Sequence, residues 1–153
     1  MAARDMNSPG RLDAFRIARE HGAVEGSVDP HRLPRVADQL ADGPASLAWR
    51  IEGTEDASGR PALAIDLEGT VTLTCQRCLA DFAWPIDQRT EVLLAHDERE
   101  LATLDAQSSV EVTLAEGPVD PLALVEDELV LALPFAPRHP DDVCDSTMTT
   151  RRA

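Results

Sequence analysis

Lysine and tyrosine are absent from the 153 residues, and aromatic side chains make up only 3% of them. Every basic residue is therefore arginine, a bias we assign to codon usage rather than to function. No apolar run approaches the roughly 18 residues that a membrane-crossing helix needs. Residues Met1 to Gly10 also lack the apolar core of about 7 to 15 residues found in a secretory signal. A soluble cytoplasmic protein is the expectation. Cysteine is scarce, with three in all. In a reducing compartment that number does not read as a disulfide framework, so the close pair Cys75 and Cys78 points to metal or redox chemistry. Catalytic signatures are missing too. There is no glycine-rich phosphate loop, no G-x-S-x-G elbow and no H-E-x-x-H pair. The histidines His21, His31 and His96 each stand without a matched nucleophile or ligand pair.

What is present fits one domain: the length and the 43% hydrophobic content are enough for a single core. The formal charge of −14 is unevenly placed. Residues 1–50 carry seven Arg and seven acidic residues, whereas residues 51–153 carry seven Arg and twenty-one acidic residues. Phosphate backbones are bound by cations that displace counterions, so this acidity disfavours naked nucleic acid and favours a basic partner. Solubility alone accounts for the charge about equally well.

Apolar periodicity divides the chain. Leu12, Phe15 and Ile17 give a weak pattern, consistent with a short helix or an irregular arm over residues 1–23. Asp29-Pro30 reads as a helix start, with Leu33, Val36, Ala37 and Leu40 at helical spacing up to Gly43-Pro44. From Ser46 the period becomes two. Leu47, Trp49 and Ile51 form one strand. Leu63, Ile65, Leu67, Val71 and Leu73 form a longer one, with Gly69 at a bulge or a close approach. Phe82, Trp84, Ile86, Val92 and Leu94 form a third, in which Pro85 suggests an edge, and Val110, Val112 and Leu114 form a fourth. Trp49, Phe82 and Trp84 lie on apolar faces and read as core rather than as stacking platforms for bases. Asp120-Pro121 opens a last helix, with Leu122, Val125, Leu129 and Leu133 on one stripe and Pro134 at its end. The expected fold is α+β, a single domain with an antiparallel meander-like sheet, a few short helices and a C-x-x-C hairpin turn. Its span is 24–144, and residues 145–153 form a disordered tail.

Cys75-x-x-Cys78, placed between two strands, has the spacing with which two thiolates grip one tetrahedral metal. His139-x4-Cys144 is a second pair at an accepted spacing. Together Cys75, Cys78, His139 and Cys144 make a Cys3His set of the structural zinc type, although spacing alone does not bring the two pairs together. Ordinary reduced thiols are an equal alternative. A thioredoxin-like pair fits less well, because its first cysteine should open a helix and the residues after Cys78 alternate like a strand. Arg77 and the acidic run Glu126, Asp127 and Glu128 are candidate partner contacts. Adjacent helical positions point about 100° apart, so the run suits a solvated or partner-facing surface better than paired catalytic carboxylates.

Val71-Thr72-Leu73-Thr74-Cys75-Gln76-Arg77-Cys78-Leu79, then Asp120-Pro121 leading into Leu124-Val125-Glu126-Asp127-Glu128-Leu129-Val130-Leu131-Ala132-Leu133-Pro134, then His139 and Cys144, resemble the YceD family in order and spacing. The likeness extends loosely to Glu25-Gly26-Ser27-Val28 and Arg35-Val36-Ala37. The resemblance implies a ribosome-biogenesis role in accumulating large-subunit rRNA and brings no catalytic residues with it. A basic ribosomal protein or a pre-50S ribonucleoprotein is the expected partner. A zinc-dependent or thiol redox enzyme using the C-x-x-C pair is the alternative.

Overall fold

The period-two runs become five strands of one sheet in the computed structural model, which describes residues 12–107, 110–134 and 136–138. In chain order the elements are α1 (Ala14–Glu20), β1 (Ala23–Val28), a 3-10 turn (Pro30–Arg32), α2 (Pro34–Ala37), β2 (Ser46–Glu55), β3 (Pro61–Thr74), β4 (Asp81–Ala95), α3 (Glu98–Gln107), β5 (Glu111–Leu114) and α4 (Pro121–Ala132). The sheet order follows the sequence, β1 to β5. The first four strands form an antiparallel meander, as the alternation predicts. β5 departs from it and runs parallel to β4. The cause is α3, which lies between the two strands in sequence and packs against both, carrying the chain back so that β5 starts from the same end as β4.

One face of the sheet holds the core. Leu47, Trp49 and Ile51 on β2 alternate inward, as do Leu63, Ile65, Leu67, Val71 and Leu73 on β3, and α1, α2 and α4 add Ala18, Val36, Val125 and Leu129. Phe82 and Trp84 pack against this cluster, which confirms their reading as core. Gly53 lets α1 touch the sheet: a Cβ there would stand 2.0 Å from the Ile17 carbonyl oxygen. Gly69 is a close approach within an unbroken register, since its Cβ would stand 2.1 Å from the Ser46 carbonyl oxygen. Pro85 does lie on an edge among the described residues, because β5 pairs with Val92 to Ala95 and no described strand flanks β4 around Pro85.

Three local differences have clear causes. The helix expected from Asp29 shrinks to a 3-10 turn and α2, because Pro34 holds Leu33 at an extended φ of −97° and ψ of 108°. Residues 12–20 are not a loose arm: Leu12 forms a bridge with Val119, and α1 buries Ala14 and Ala18, so the packed body begins well before residue 24. α3 was hidden because only Leu104 of its residues is buried. Residues 1–11 and 139–153 lie outside the described residues. Among the described residues, no helix is long and apolar enough to cross a membrane.

Candidate functional site

The Cys75 to Cys78 segment is the turn between β3 and β4. Thr74 pairs with Asp81, the last rung of the ladder, and the Thr74 hydroxyl donates to the Asp81 carboxylate at 2.9 Å. Beyond that rung, the Cys75 N–H donates to the Ala80 carbonyl at 2.9 Å and the Leu79 N–H to the Cys75 carbonyl at 2.8 Å. Leu79 adopts a left-handed φ of 66°, unusual for a non-glycine residue, and its side chain projects into solvent. Both thiols are turned inward, each at 0% exposure, in a cluster of their own beside Ala80 and Phe82. The Arg77 N–H donates to Cys75 Sγ at 3.4 Å. The Arg77 side chain points outward. The Gln76 N–H donates to the Pro137 carbonyl at 2.8 Å, which ties the chain after α4 to this turn. Sequence spacing could not reveal that link. His139 and Cys144 lie outside the described residues.

The acidic run on α4 is not the free surface its composition suggested. The Glu126 carboxylate accepts the Arg35 backbone N–H at 2.7 Å, and Asp127 is ion-paired with the Arg35 guanidinium, so both hold α2 against α4. The guanidinium is held above its ordinary pKa, first by its hydrogen bond with Asp127 and then by the charge of that carboxylate. Glu128 is buried at 2% exposure and is out of reach of a partner. Its position explains this: it stands four residues after Leu124 and three after Val125, both buried, on the inward stripe of the helix. Desolvation, followed by a hydrogen bond with Glu111 and the charge of that residue, pushes its pKa up from 4.5 to about 7. Thr90 hydrogen-bonds it in the opposite sense. Glu111 of β5 and Thr90 of β4 are participants the sequence did not announce.

Between β5 and α4 runs an open groove of about 700 Å³, lined by apolar Val112, Leu114, Val130 and Leu131, by acidic Glu111, Asp120 and Asp127, and by Arg35, which is paired with Asp127. Leu131 is 67% exposed beside it, and β5 is the last strand of the sheet. The sheet face opposite the core buries Ala62, Ala64, Leu93 and Ala95 at one end and is polar elsewhere, with a row of alternating charge across four strands. Glu25 pairs with Arg50 at 2.9 Å, Asp66 lies opposite Arg50, and Arg89 pairs with Asp66 at 2.7 Å. In the adjacent row Glu68 stands opposite Asp87, like charges with no arginine in register.

Residues 63–152 match the family model described as "Large ribosomal RNA subunit accumulation protein YceD". No solved structure matches the chain.

Proposed function

From the premise that this chain belongs to the YceD family, we propose that it is a non-enzymatic factor in large-subunit assembly that supports rRNA accumulation by docking a basic ribosomal protein. The family match over the β3–β4 hairpin and α4 is the observation that carries this reading. The charge distribution supports the choice of partner. Arg16, Arg35, Arg50, Arg60 and Arg89 are already ion-paired to carboxylates of the same chain, so meeting a phosphate would mean breaking those pairs first. The groove between β5 and α4 offers an apolar floor, an acidic rim and the outer edge of a strand. Those are the features that receive an extended basic segment, with main-chain bonding along the edge and charge complementarity at the rim. The cytoplasm is where such assembly takes place.

The test is a deletion strain in which large- and small-subunit rRNA are quantified together with subunit profiles, alongside affinity capture with both protein and RNA identified. A fall in large-subunit rRNA relative to small-subunit rRNA is expected, with a basic ribosomal protein as the direct contact. Normal ratios and normal large subunits, even under cold or slow-assembly conditions, would overturn the role. Capture of rRNA that persists after ribosomal protein is stripped away would overturn the choice of partner.

A further inference from the structure

We propose that Arg35 is an internal stand-in for a basic side chain of the incoming segment, so that docking in the β5–α4 groove exchanges one cation for another at Asp127. The inference rests on the groove reading above and adds to it the residue that controls what may enter.

The first ground is where Arg35 sits. It reaches from α2 to the groove, whose carboxylates are Glu111 of β5 and Asp120 and Asp127 of α4. Asp120 is committed to its own helix, since it accepts the Leu122 N–H at 2.9 Å. Glu111 is hydrogen-bonded to buried Glu128. Asp127 follows Asp120 by two helical turns on the stripe of α4 that lines the groove, between Ala123 and Val130. It is paired with a cation instead: its carboxylate takes the Arg35 Nη2 donor, while Arg35 Nε lies 3.6 Å from Glu126. The chain itself thus shows what this wall receives, a guanidinium presented from outside α4.

The second ground is that this guanidinium can leave without unseating the helix that carries it. The Arg35 side chain is 56% exposed and that of Asp127 is 48% exposed. An ion pair so placed adds little stability, because water solvates both partners and a long side chain must be held still to make it. α2 has other anchors. The Glu126 carboxylate, with its side chain only 14% exposed, accepts the Arg35 backbone N–H at 2.7 Å, and Val36 is fully buried.

The third ground is the electrostatics of the exchange. A cation that approaches Asp127 while Arg35 is in place meets a carboxylate already neutralised and a guanidinium that repels it. Once Arg35 has swung into solvent, one ion pair has replaced another. An uncharged or acidic segment has nothing to offer Asp127 and leaves the internal pair closed. Apparent affinity falls by the fraction of molecules whose Asp127 is engaged, and only a segment that brings its own cation recovers part of that loss. Arg35 therefore selects for basic segments while holding down their weak, indiscriminate capture.

The probe is a short fluorescein-labelled peptide of alternating Arg and Val, with a Ser and Val peptide of the same length as the uncharged control, both added to the full chain. Arg35→Gln keeps the backbone N–H on Glu126, so its urea midpoint should stay close to that of the wild type. It should bind the Arg peptide about two- to fivefold more tightly, the span of one exposed ion pair. A folding lesion would weaken capture rather than tighten it. Adding Asp127→Asn should abolish the gain. In the wild type an ion pair is merely exchanged, so salt should leave the dissociation rate nearly flat. In Arg35→Gln a net new pair forms, and the dissociation rate should rise with salt. Equal or weaker binding by Arg35→Gln, with the peptide still held by the wild type, would overturn the stand-in and leave the groove reading intact. So would a gain that survives Asp127→Asn or that extends to the uncharged control. A peptide that binds neither protein would overturn the groove reading and the stand-in together. Should Arg35→Gln fail to fold, the Arg35 Nε–Hε signal of the wild type decides by NMR: it should move toward the position of solvent-exposed arginines as the peptide is added, and an unmoved signal at saturation would overturn the exchange.

Discussion

Replacing Glu128 with Gln should remove a pH dependence of stability that the wild-type protein carries between about pH 4.5 and pH 7. The carboxyl is buried on the inward stripe of α4, faces Glu111 of β5 and Thr90 of β4, and has Asp127 beside it on its own helix. Burial and the neighbouring carboxylate raise its pKa from 4.5 to about 7 in the folded state. The folded protein therefore holds this proton more tightly than the unfolded chain does. Stability falls as pH rises through the window and levels off above it. A rise of this size corresponds to about 3 kcal/mol, with a steepest slope of about 1.4 kcal/mol per pH unit. Other carboxylates act in the opposite sense and at lower pH. Asp56, held low mainly by the Arg60 N–H, and Glu100, held low mainly by the His96 N–H, contribute stability that is lost only as pH falls below the ordinary carboxylate range. Urea unfolding at half-unit steps from pH 5 to pH 8 isolates the effect. Glu128→Gln, neutral throughout, should become progressively more stable than the wild type as pH rises. Parallel profiles for the two proteins over that range would refute the assignment.

Leu129→Ala, at a fully buried position of α4, should lower stability by about 2 to 5 kcal/mol, read as a lower urea midpoint at an unchanged slope. Gly53→Ala drives a methyl group against the Ile17 carbonyl and should cost about 1 to 3 kcal/mol through displacement of α1, whereas Gly117→Ala, with nothing within 4 Å, should stay within about 0.5 kcal/mol of the wild type. Leu131→Ser, at an exposed position beside the β5–α4 groove, should leave the urea midpoint within about 0.5 kcal/mol while weakening capture of a basic ribosomal protein; unchanged capture would move the docking surface elsewhere.

Strands whose inward positions are all apolar were plain in the sequence, as the runs Leu47 to Ile51 and Leu63 to Leu73 show, because an alternating pattern has only one way to bury itself. α3 was missed because its burial rests on a single residue, Leu104. A signal for it was nevertheless present. Asp97 and Glu100 form a capping pair: the Asp97 carboxylate accepts the Glu100 N–H at 2.8 Å and Glu100 reaches back to the His96 N–H at 2.6 Å. Without α3 there was no crossover, and without the crossover the direction of β5 could not be inferred. The acidic run on α4 misled for a different reason. Composition classes Glu126, Asp127 and Glu128 as one surface, whereas helical geometry sends them to three surroundings: the backbone of α2, the guanidinium of Arg35, and the interior. The cysteine turn was legible as a turn, but the Gln76 to Pro137 bond that joins it to the end of α4 is a backbone contact and leaves no trace in side-chain pattern.

This dispersal changes what the net charge means for a partner. Of the acidic residues after position 50, Asp56 closes the β2–β3 loop, Asp97, Glu100 and Asp120 cap helices, Glu52 and Asp66 are paired with Arg89, and Glu126 to Glu128 are engaged around α4. The acidity left to face solvent is narrower than the total of −14 suggests. On the open sheet face it centres on exposed Glu68 and Asp87, which stand opposite each other without a cation in register. Like charges so placed weaken the sheet slightly and give it a local negative field. Such a field acts over about 8 to 10 Å at physiological salt, so it governs encounter with a basic protein rather than the lifetime of the complex. Under the proposed docking, the lifetime falls to the groove, where apolar Val130, Leu131 and Leu114 can be covered. Salt should therefore slow association steeply and leave dissociation nearly unchanged, and a dissociation rate that rises as steeply with salt would place the contact on the charged sheet face instead of the groove.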